Sequence, residues 1–265
     1  MKFRDKVVWI TGASSGIGEA LAYAFYREGA HLILSARRLA ELERVKNNNL
    51  VGNGRIHLAD FDISEFDEIN GIADEVIKKF DHIDILINSA GVAQRAKIVD
   101  TNMEVYRQIM QVNYFGTVAL TKAILPSMID LNSGHIVFIG SPAGIFSTPL
   151  RSGYSASKHA VHSFSDSLTS ELANQNINVT NVIPGPIRTN MSISSLTGNG
   201  KKYAVMDRFM DTGISPSTCA EKILRGLAKK KGEIVVVNSE VRKMIFLKQY
   251  FPGYFSKVSK KLAPQ

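Results

Sequence analysis

The sequence predicts an α/β fold: a doubly wound, parallel sheet of about seven strands covered by helices on both faces. Three observations carry this. Short runs rich in β-branched residues alternate along the chain with longer stretches of helical period. The runs are apolar throughout rather than at every second residue, the pattern of strands buried on both faces. Hydrophobic residues make up 45% of the 265, enough to fill a core between a sheet and two helix layers.

Taken in order, strand one is read at 6–11 (KVVWIT), followed by a helix at 16–28. Strand two lies at 31–36 (HLILSA), with a helix at 39–47, and strand three at 55–59. An amphipathic helix at 65–80 sets Phe66, Ile69, Ile72, Ala73, Val76, Ile77 and Phe80 on one face, and strand four follows at 83–87. The second half repeats the alternation: a long helical region at 103–131, strand five at 135–140 (HIVFIG) and a second long helix at 153–174. Strand six is placed at 178–183 (NVTNVI), a helix at 218–230 and a last short strand at 234–237. Right-handed crossovers bring the C-terminal ends of all strands to one edge, where folds of this kind bind ligands.

No linker, low-complexity run or repeat divides residues 1–265, which read as one domain. A stretch rich in Ser, Thr, Gly and Met at about 189–213 has the composition of a lid, and a basic amphipathic tail occupies about 241–265. The single cysteine, Cys219, cannot make an internal disulfide. The N-terminus runs straight into an apolar strand with no stretch long enough for a signal peptide or membrane span, so a cytoplasmic protein is expected. The net charge of +8 is uneven: six basic residues and no acidic one follow Glu240. A basic pocket and a cationic tail account for the excess, and a nucleic-acid partner is not expected.

Strand one enters Thr11-Gly12-Ala13-Ser14-Ser15-Gly16-Ile17-Gly18 and then a helix. One glycine serves a sharp turn off the strand, another a close backbone approach to a pyrophosphate, and the last close packing of helix on sheet. The helix N-terminus offers free N–H groups and partial positive charge to phosphates. This T-G-x-x-x-G-I-G form resembles the short-chain dehydrogenase/reductase family, whose members have a Rossmann-type fold and move a hydride between a nicotinamide and an alcohol/carbonyl pair. In such folds the end of strand two faces the adenosine ribose, where an acid favours NAD and a base pairs with a 2′-phosphate. Here neutral Ala36 is followed by Arg37 and Arg38, which points to NADP(H).

The resemblance covers residues 5–237 and extends to further motifs. It implies adenine contacts from Asp62 and Ile63, and close backbone approach of Asn88, Ala90 and Gly91 in Asn88-Ser89-Ala90-Gly91, where Ser89 departs from the family's N-N-A-G. Pro184-Gly185-Pro186-Ile187-Arg188-Thr189 matches the segment expected to pass the nicotinamide, with Pro184, Gly185, Ile187 and Thr189 as contacts. Tyr154 and Lys158 stand at i and i+4 on one helix face, Ser141 lies thirteen residues before Tyr154, and Asn113 falls inside the 103–131 region. Together these match the family's Asn-Ser-Tyr-Lys tetrad.

The chemistry asks for these residue types. A phenol of pKa about 10 is too weakly acidic to be a base at neutral pH. A neighbouring ammonium would stabilise the phenolate, so Lys158 is expected to draw Tyr154 down and to hold the nicotinamide ribose. Ser141 would polarise the substrate oxygen, and Asn113 would anchor a water that joins Lys158 to solvent. His159 and His162, three apart on the same helix, have no third ligand nearby and read as ordinary helix residues, with no metal expected.

The substrate expected is a small-molecule alcohol or carbonyl, lipophilic because Ile145, Phe146, Leu150, Met191 and Leu196 would line the pocket. Arg37, Arg38 and the C-terminal region resemble most the branch that includes hydroxysteroid dehydrogenases. Val112, Phe115, Val118, Ala119, Val161, Phe164 and Leu168 lie on helices resembling those through which the family forms homodimers and homotetramers. The tail interleaves aromatics with lysines; packing on its own chain or a partner subunit, lying beside the active-site mouth and weak contact with an anionic membrane surface all remain open. The rival to the enzyme is a non-catalytic NADP(H)-binding sensor or regulatory protein of the same fold.

Overall fold

Val7–Thr11 forms β1, and its side chains divide the core: Val8 and Ile10 turn to one helix layer, Val7 and Trp9 to the other, all buried. Such a strand has no face to give to water, so it lies inside a sheet covered twice. The computed structural model describes residues 2–48 and 52–262; residues 263–265 of the predicted tail lie outside the described residues. After β1 come α1 (Gly16–Arg27), β2 (His31–Ala36), α2 (Leu39–Asn47), β3 (Ile56–Asp60), α3 (Phe66–Phe80) and β4 (Ile85–Asn88). The second half contributes α4 (Met103–Met110), α5 (Gly116–Asp130), β5 (Gly134–Ile139), α6 (Ser152–Glu171), β6 (Ile177–Pro184) and α7 (Arg208–Asp211). It closes with α8 (Pro216–Leu227), β7 (Glu233–Val236), α9 (Ser239–Tyr250) and α10 (Pro252–Ser259).

The strands make one all-parallel, seven-stranded sheet in the order β3-β2-β1-β4-β5-β6-β7. α1 and α8 cover one face with Leu21, Phe25, Ile223 and Leu227; α3, α5 and α6 cover the other with Val76, Ile124 and Leu168. The chain order reverses between β1 and β4, so the loops leaving them diverge and open a crevice at their carboxyl ends. This is the Rossmann-type fold read from the sequence. Element ends fall within three residues of the sequence reading, and β2 and α2 match it at both ends.

Four expectations change in substance. β3 is not fully buried: it pairs only with β2 at the sheet edge, and most of its residues are half-exposed. The 103–131 region is not one regular helix. α4 gives way to a π-helical turn at Gln111–Phe115 before α5 begins, because Asn113 is pulled sideways to bond the backbone of Val92 at both its N–H and its carbonyl. Of the seven residues expected at a subunit contact, Val112, Val161 and Leu168 are buried in the chain's own core, and Ala119 and Phe164 pack against it. Phe115 alone among them is strongly exposed. The tail is more structured than its composition announces: Val241 of α9 and Phe255 of α10 bury against Phe146. No helix among the described residues is long and apolar enough to cross a membrane.

Candidate active site

The glycine loop is as tight as its sequence implies. Gly12 and Gly16 adopt φ of +64° and +62°, a conformation that side chains oppose. A Cβ on Gly12 would lie 2.9 Å from Ala90 Cα, and one on Gly18 only 2.3 Å from the Gly12 carbonyl oxygen. The β1–α1 loop and the Asn88–Gly91 segment therefore meet backbone to backbone. Thr11 joins them: its Oγ1 accepts from the N–H groups of Ser89 (3.0 Å) and Ala90 (3.1 Å). Ser15 heads α1 without a side-chain cap, which leaves the first N–H groups of the helix to an incoming anion. The loop thus fits a dinucleotide pyrophosphate.

At the end of β2, Ala36 pairs in register with Asp60, and Arg37 follows at the strand tip with its side chain 61% exposed. Its guanidinium lies 3.7 Å from a carboxylate oxygen of Asp62, a loose pair. The other Asp62 oxygen accepts from Ser64 N (3.0 Å) and Ser64 Oγ (2.7 Å). Arg38 is the exposed residue before α2. Ile63 is buried in the apolar layer, and its carbonyl would lie 2.3 Å from a Cβ on Gly116. The side chain of Asn88 turns into the same layer, donating to Thr121 Oγ1 at 3.2 Å.

Arg44 of α2 had no motif to announce it. It grips Glu19 of α1 and donates to the Ser14 carbonyl at 3.0 Å, so α2 braces the glycine loop from outside. Hydrogen bonds to Glu19 and Glu41 push its pKa up.

The tetrad converges around the start of α6. Tyr154 and Lys158 are both buried on its inner face, with Lys158 Nζ 5.9 Å from the Tyr154 ring centroid. Lys158 Nζ donates to the Ile139 carbonyl at 2.8 Å, at the end of β5. Gly91 is the third wall: a Cβ there would meet Asn113 Oδ1 at 3.3 Å and Lys158 Nζ at 3.8 Å. Asn113 also donates to Ser157 Oγ (2.9 Å), and its own carbonyl accepts from Thr117 Oγ1 (2.9 Å). Ser141 sits just past β5, where its Oγ accepts from Ala143 N (3.1 Å) and keeps its own proton to donate.

Burial dominates the electrostatics. It pushes the Tyr154 phenol above its ordinary value, against smaller pulls from the Ser141 hydroxyl and the Arg151 guanidinium. It brings Lys158 down to about 8. In this geometry the Lys158 ammonium bonds the Ile139 carbonyl.

Two residues without a sequence signal hold this region in place. Gln94, buried after β4, accepts from Gly153 N at 2.7 Å and donates to Thr101 Oγ1 at 2.9 Å, which pins the first turn of α6. Asp207, in the 189–213 segment, pairs with both Arg95 and Arg151, the latter at 3.2 Å. Backbone bonds add to the tie, with Arg95 N on the Leu196 carbonyl (2.8 Å) and Leu196 N on the Ala93 carbonyl (2.8 Å).

On the far side, Pro184 ends β6, Gly185 N donates to Val236 O at 2.9 Å, and Ile187 is buried. The Thr189 methyl would lie 3.2 Å from a Cβ on Gly16, so this segment stands over the glycine loop. His159 bonds its own helix at Ser155 O (2.8 Å), and His162 bonds Asn181 Nδ2 of β6 (2.8 Å). The expected apolar lining is only partly brought together. Leu196 is tucked against Val105 and Ile109 by its backbone pairing with Gln94, and Phe146 is covered by α10. Leu150 and Met191 remain half-exposed.

Residues 6–200 match the family model for the short chain dehydrogenases. A Drosophila melanogaster "Dehydrogenase/reductase SDR family protein 7-like" is 45% identical over 262 residues, 96% of this chain and 80% of that protein. The Danio rerio "Dehydrogenase/reductase SDR family member 7B" is 43% identical, over 96% of this chain and 84% of its own length. Among solved structures, a Burkholderia phymatum short chain dehydrogenase/reductase in complex with NAD superposes with a TM-score of 0.85, at 22% identity and over 96% of each chain. A metagenomic short-chain oxidoreductase in complex with NADP gives 0.74 at 26% identity, over 89% of this chain and 98% of the other. A family match over most of the chain, relatives above 40% identity and a shared sheet agree: the chain belongs to the short-chain dehydrogenase/reductase family of oxidoreductases.

Proposed function

We propose that the chain is an NADP(H)-dependent oxidoreductase that interconverts a lipophilic alcohol and its carbonyl compound, with Tyr154 as general acid/base. The observation that carries this reading is the meeting of buried Tyr154, Lys158 and Asn113 with half-buried Ser141, beside the backbone contact of Gly12 with Ala90. When bound, the nicotinamide supplies or accepts the hydride. Tyr154 Oη gives its proton to the carbonyl oxygen in reduction and takes one from the hydroxyl in oxidation. Ser141, with a hydroxyl proton to donate, holds that same oxygen and fixes its direction toward Tyr154. Lys158, brought to about 8, is still mostly a cation at neutral pH. It can swing from the Ile139 carbonyl to the ribose hydroxyls, and from there it supports the phenolate and returns its proton.

Solved relatives hold NAD or NADP, so charge at the tip of β2 decides the preference: neutral Ala36 followed by Arg37 and Arg38 favours a 2′-phosphate. On the same reading, residues 189–213 close over the substrate and the protein works in the cytoplasm as a homodimer or homotetramer. The exposed Phe115 beside Phe66, ring centroids 6.2 Å apart, is its subunit contact.

The test is turnover of a panel of ketones and secondary alcohols by wild type and Tyr154→Phe with each cofactor, alongside NADPH titration by fluorescence. Tyr154→Phe should lose about a hundredfold or more in rate and keep its NADPH affinity. Wild-type rates in that variant overturn the acid/base assignment. Tight NADPH binding without turnover of any substrate favours the sensor.

A further inference from the structure

The two C-terminal helices turn apolar residues in two directions. The inner side of α9 buries Val241 and half-buries Met244 and Ile245 over Phe146. Phe255 of α10 meets the Phe146 ring edge-on at 5.7 Å, and Lys248 Nζ caps the Phe255 ring at 5.4 Å. A helix that had finished its packing would be polar on its other side. α9 is not: Arg242, Lys243, Phe246 and Tyr250 share the opposite face, and all four are exposed. Phe251 and Tyr254 extend the patch into α10, and Phe246 lies 4.9 Å from Tyr250 and 5.9 Å from Phe251 between ring centroids. These four aromatics are 52–67% exposed. Scattered exposed aromatics are ordinary, but three in one array, with a fourth exposed three residues on, call for a partner.

Charge says which partner. Lys257, Lys260 and Lys261 are exposed, as are Arg242 and Lys243, and no acidic residue follows Glu240. A second copy placed on this face by a twofold axis would set those cations against themselves. An anionic lipid surface complements them, and ring systems with one polar end, as in Tyr250 and Tyr254, suit the headgroup boundary. We propose that the outer face of α9–α10 docks the protein flat on an anionic membrane surface. Because the inner face of the same helices grips Phe146, five residues past Ser141, docking turns the wall of the active-site region toward the bilayer. That consequence for substrate entry rests on the oxidoreductase reading above; the docking itself does not.

The experiment is co-sedimentation of the full chain with phosphatidylcholine vesicles, and with vesicles that also contain phosphatidylserine, at low and high salt. Wild type should bind the phosphatidylserine vesicles, bind pure phosphatidylcholine far less, and release as salt rises. Phe246→Ser with Tyr250→Ser, and separately Arg242→Gln with Lys243→Gln, should each weaken vesicle binding by about tenfold or more. All four positions are exposed, and NADPH titration checks that each variant is folded. Absence of wild-type binding to phosphatidylserine vesicles, or undiminished binding by either variant, overturns the proposal. So does conversion of an oligomer to monomer in sedimentation velocity with vesicle binding intact, since the face would then be a subunit contact. Loss of vesicle binding with turnover unchanged in detergent-free buffer separates docking from catalysis. A chain that binds vesicles but turns over nothing would fail only the enzymatic reading.

Discussion

Arg37→Ala tests the cofactor preference where the structure is most specific about it. Among the described residues the guanidinium has no tight partner: its one ion pair there, with Asp62, spans 3.7 Å with Arg37 61% exposed. A pair of that kind contributes at most about 1 kcal/mol. A charge-assisted bond to a 2′-phosphate contributes roughly 1.5–3 kcal/mol, and guanidinium geometry suits it. After the Asp62 pairing is given up, about 0.5–2 kcal/mol remains, which is roughly two- to thirtyfold in dissociation constant. Arg37→Ala should therefore weaken NADPH by about that factor and leave NADH unchanged, because the bare ribose presents no charge to the guanidinium. Ala36→Asp should move preference further toward NADH by repelling the phosphate and offering the ribose hydroxyls an acceptor. The NADPH advantage of wild type should shrink with salt, since the strand tip is open to ions. Fluorescence or calorimetric titration of both cofactors at two salt concentrations decides it. Equal wild-type affinity for NADH and NADPH, or equal weakening of both in Arg37→Ala, would refute the reasoning and leave Arg37 a solvated residue at the mouth of α2.

Three further outcomes are expected. Gly18→Ala places a Cβ 2.3 Å from the Gly12 carbonyl, backbone against backbone, so the loop must shift; stability should fall by about 1–3 kcal/mol, and both cofactors should bind more weakly in titration. Asp207→Asn keeps the shape of the side chain but gives up the charge that ties Arg95 to Arg151; on a verified substrate KM should rise by roughly tenfold or more, with kcat changed less. His135, buried and held by Thr180 at 2.7 Å, stays neutral because burial lowers its pKa to about 4. The unfolded chain takes up that proton first, from pH about 6.5 downward, so the native state loses up to about 3 kcal/mol as pH falls to about 4. Chemical denaturation at several pH values should show this slope, and His135→Gln should flatten it; an unchanged slope in the variant would place the acid sensitivity elsewhere.

Much of the architecture and most of the candidate site were legible in the residues alone. Apolar runs such as HIVFIG demand burial on both faces, and that demand already implies a parallel sheet between helices. The positions of Gly12, Gly16 and Gly18 state a backbone need that no other residue meets, and the spacing of Tyr154 and Lys158 puts both on one helix face without reference to anything distant. What the chain could not announce is contact made across the fold. Arg44 bracing Ser14, Gln94 pinning Gly153 and Asp207 joining Arg95 to Arg151 are polar residues of ordinary type whose partners lie 30, 59 and 56 or more positions away. The π turn at Asn113 follows from its bonds to Val92, and the burial of Val112, Val161 and Leu168 follows from which helix face meets the sheet. Local sequence determines conformational preference and periodicity; the partner of a buried polar group, and the side of a helix left for solvent, are decided only when the layers close on one another.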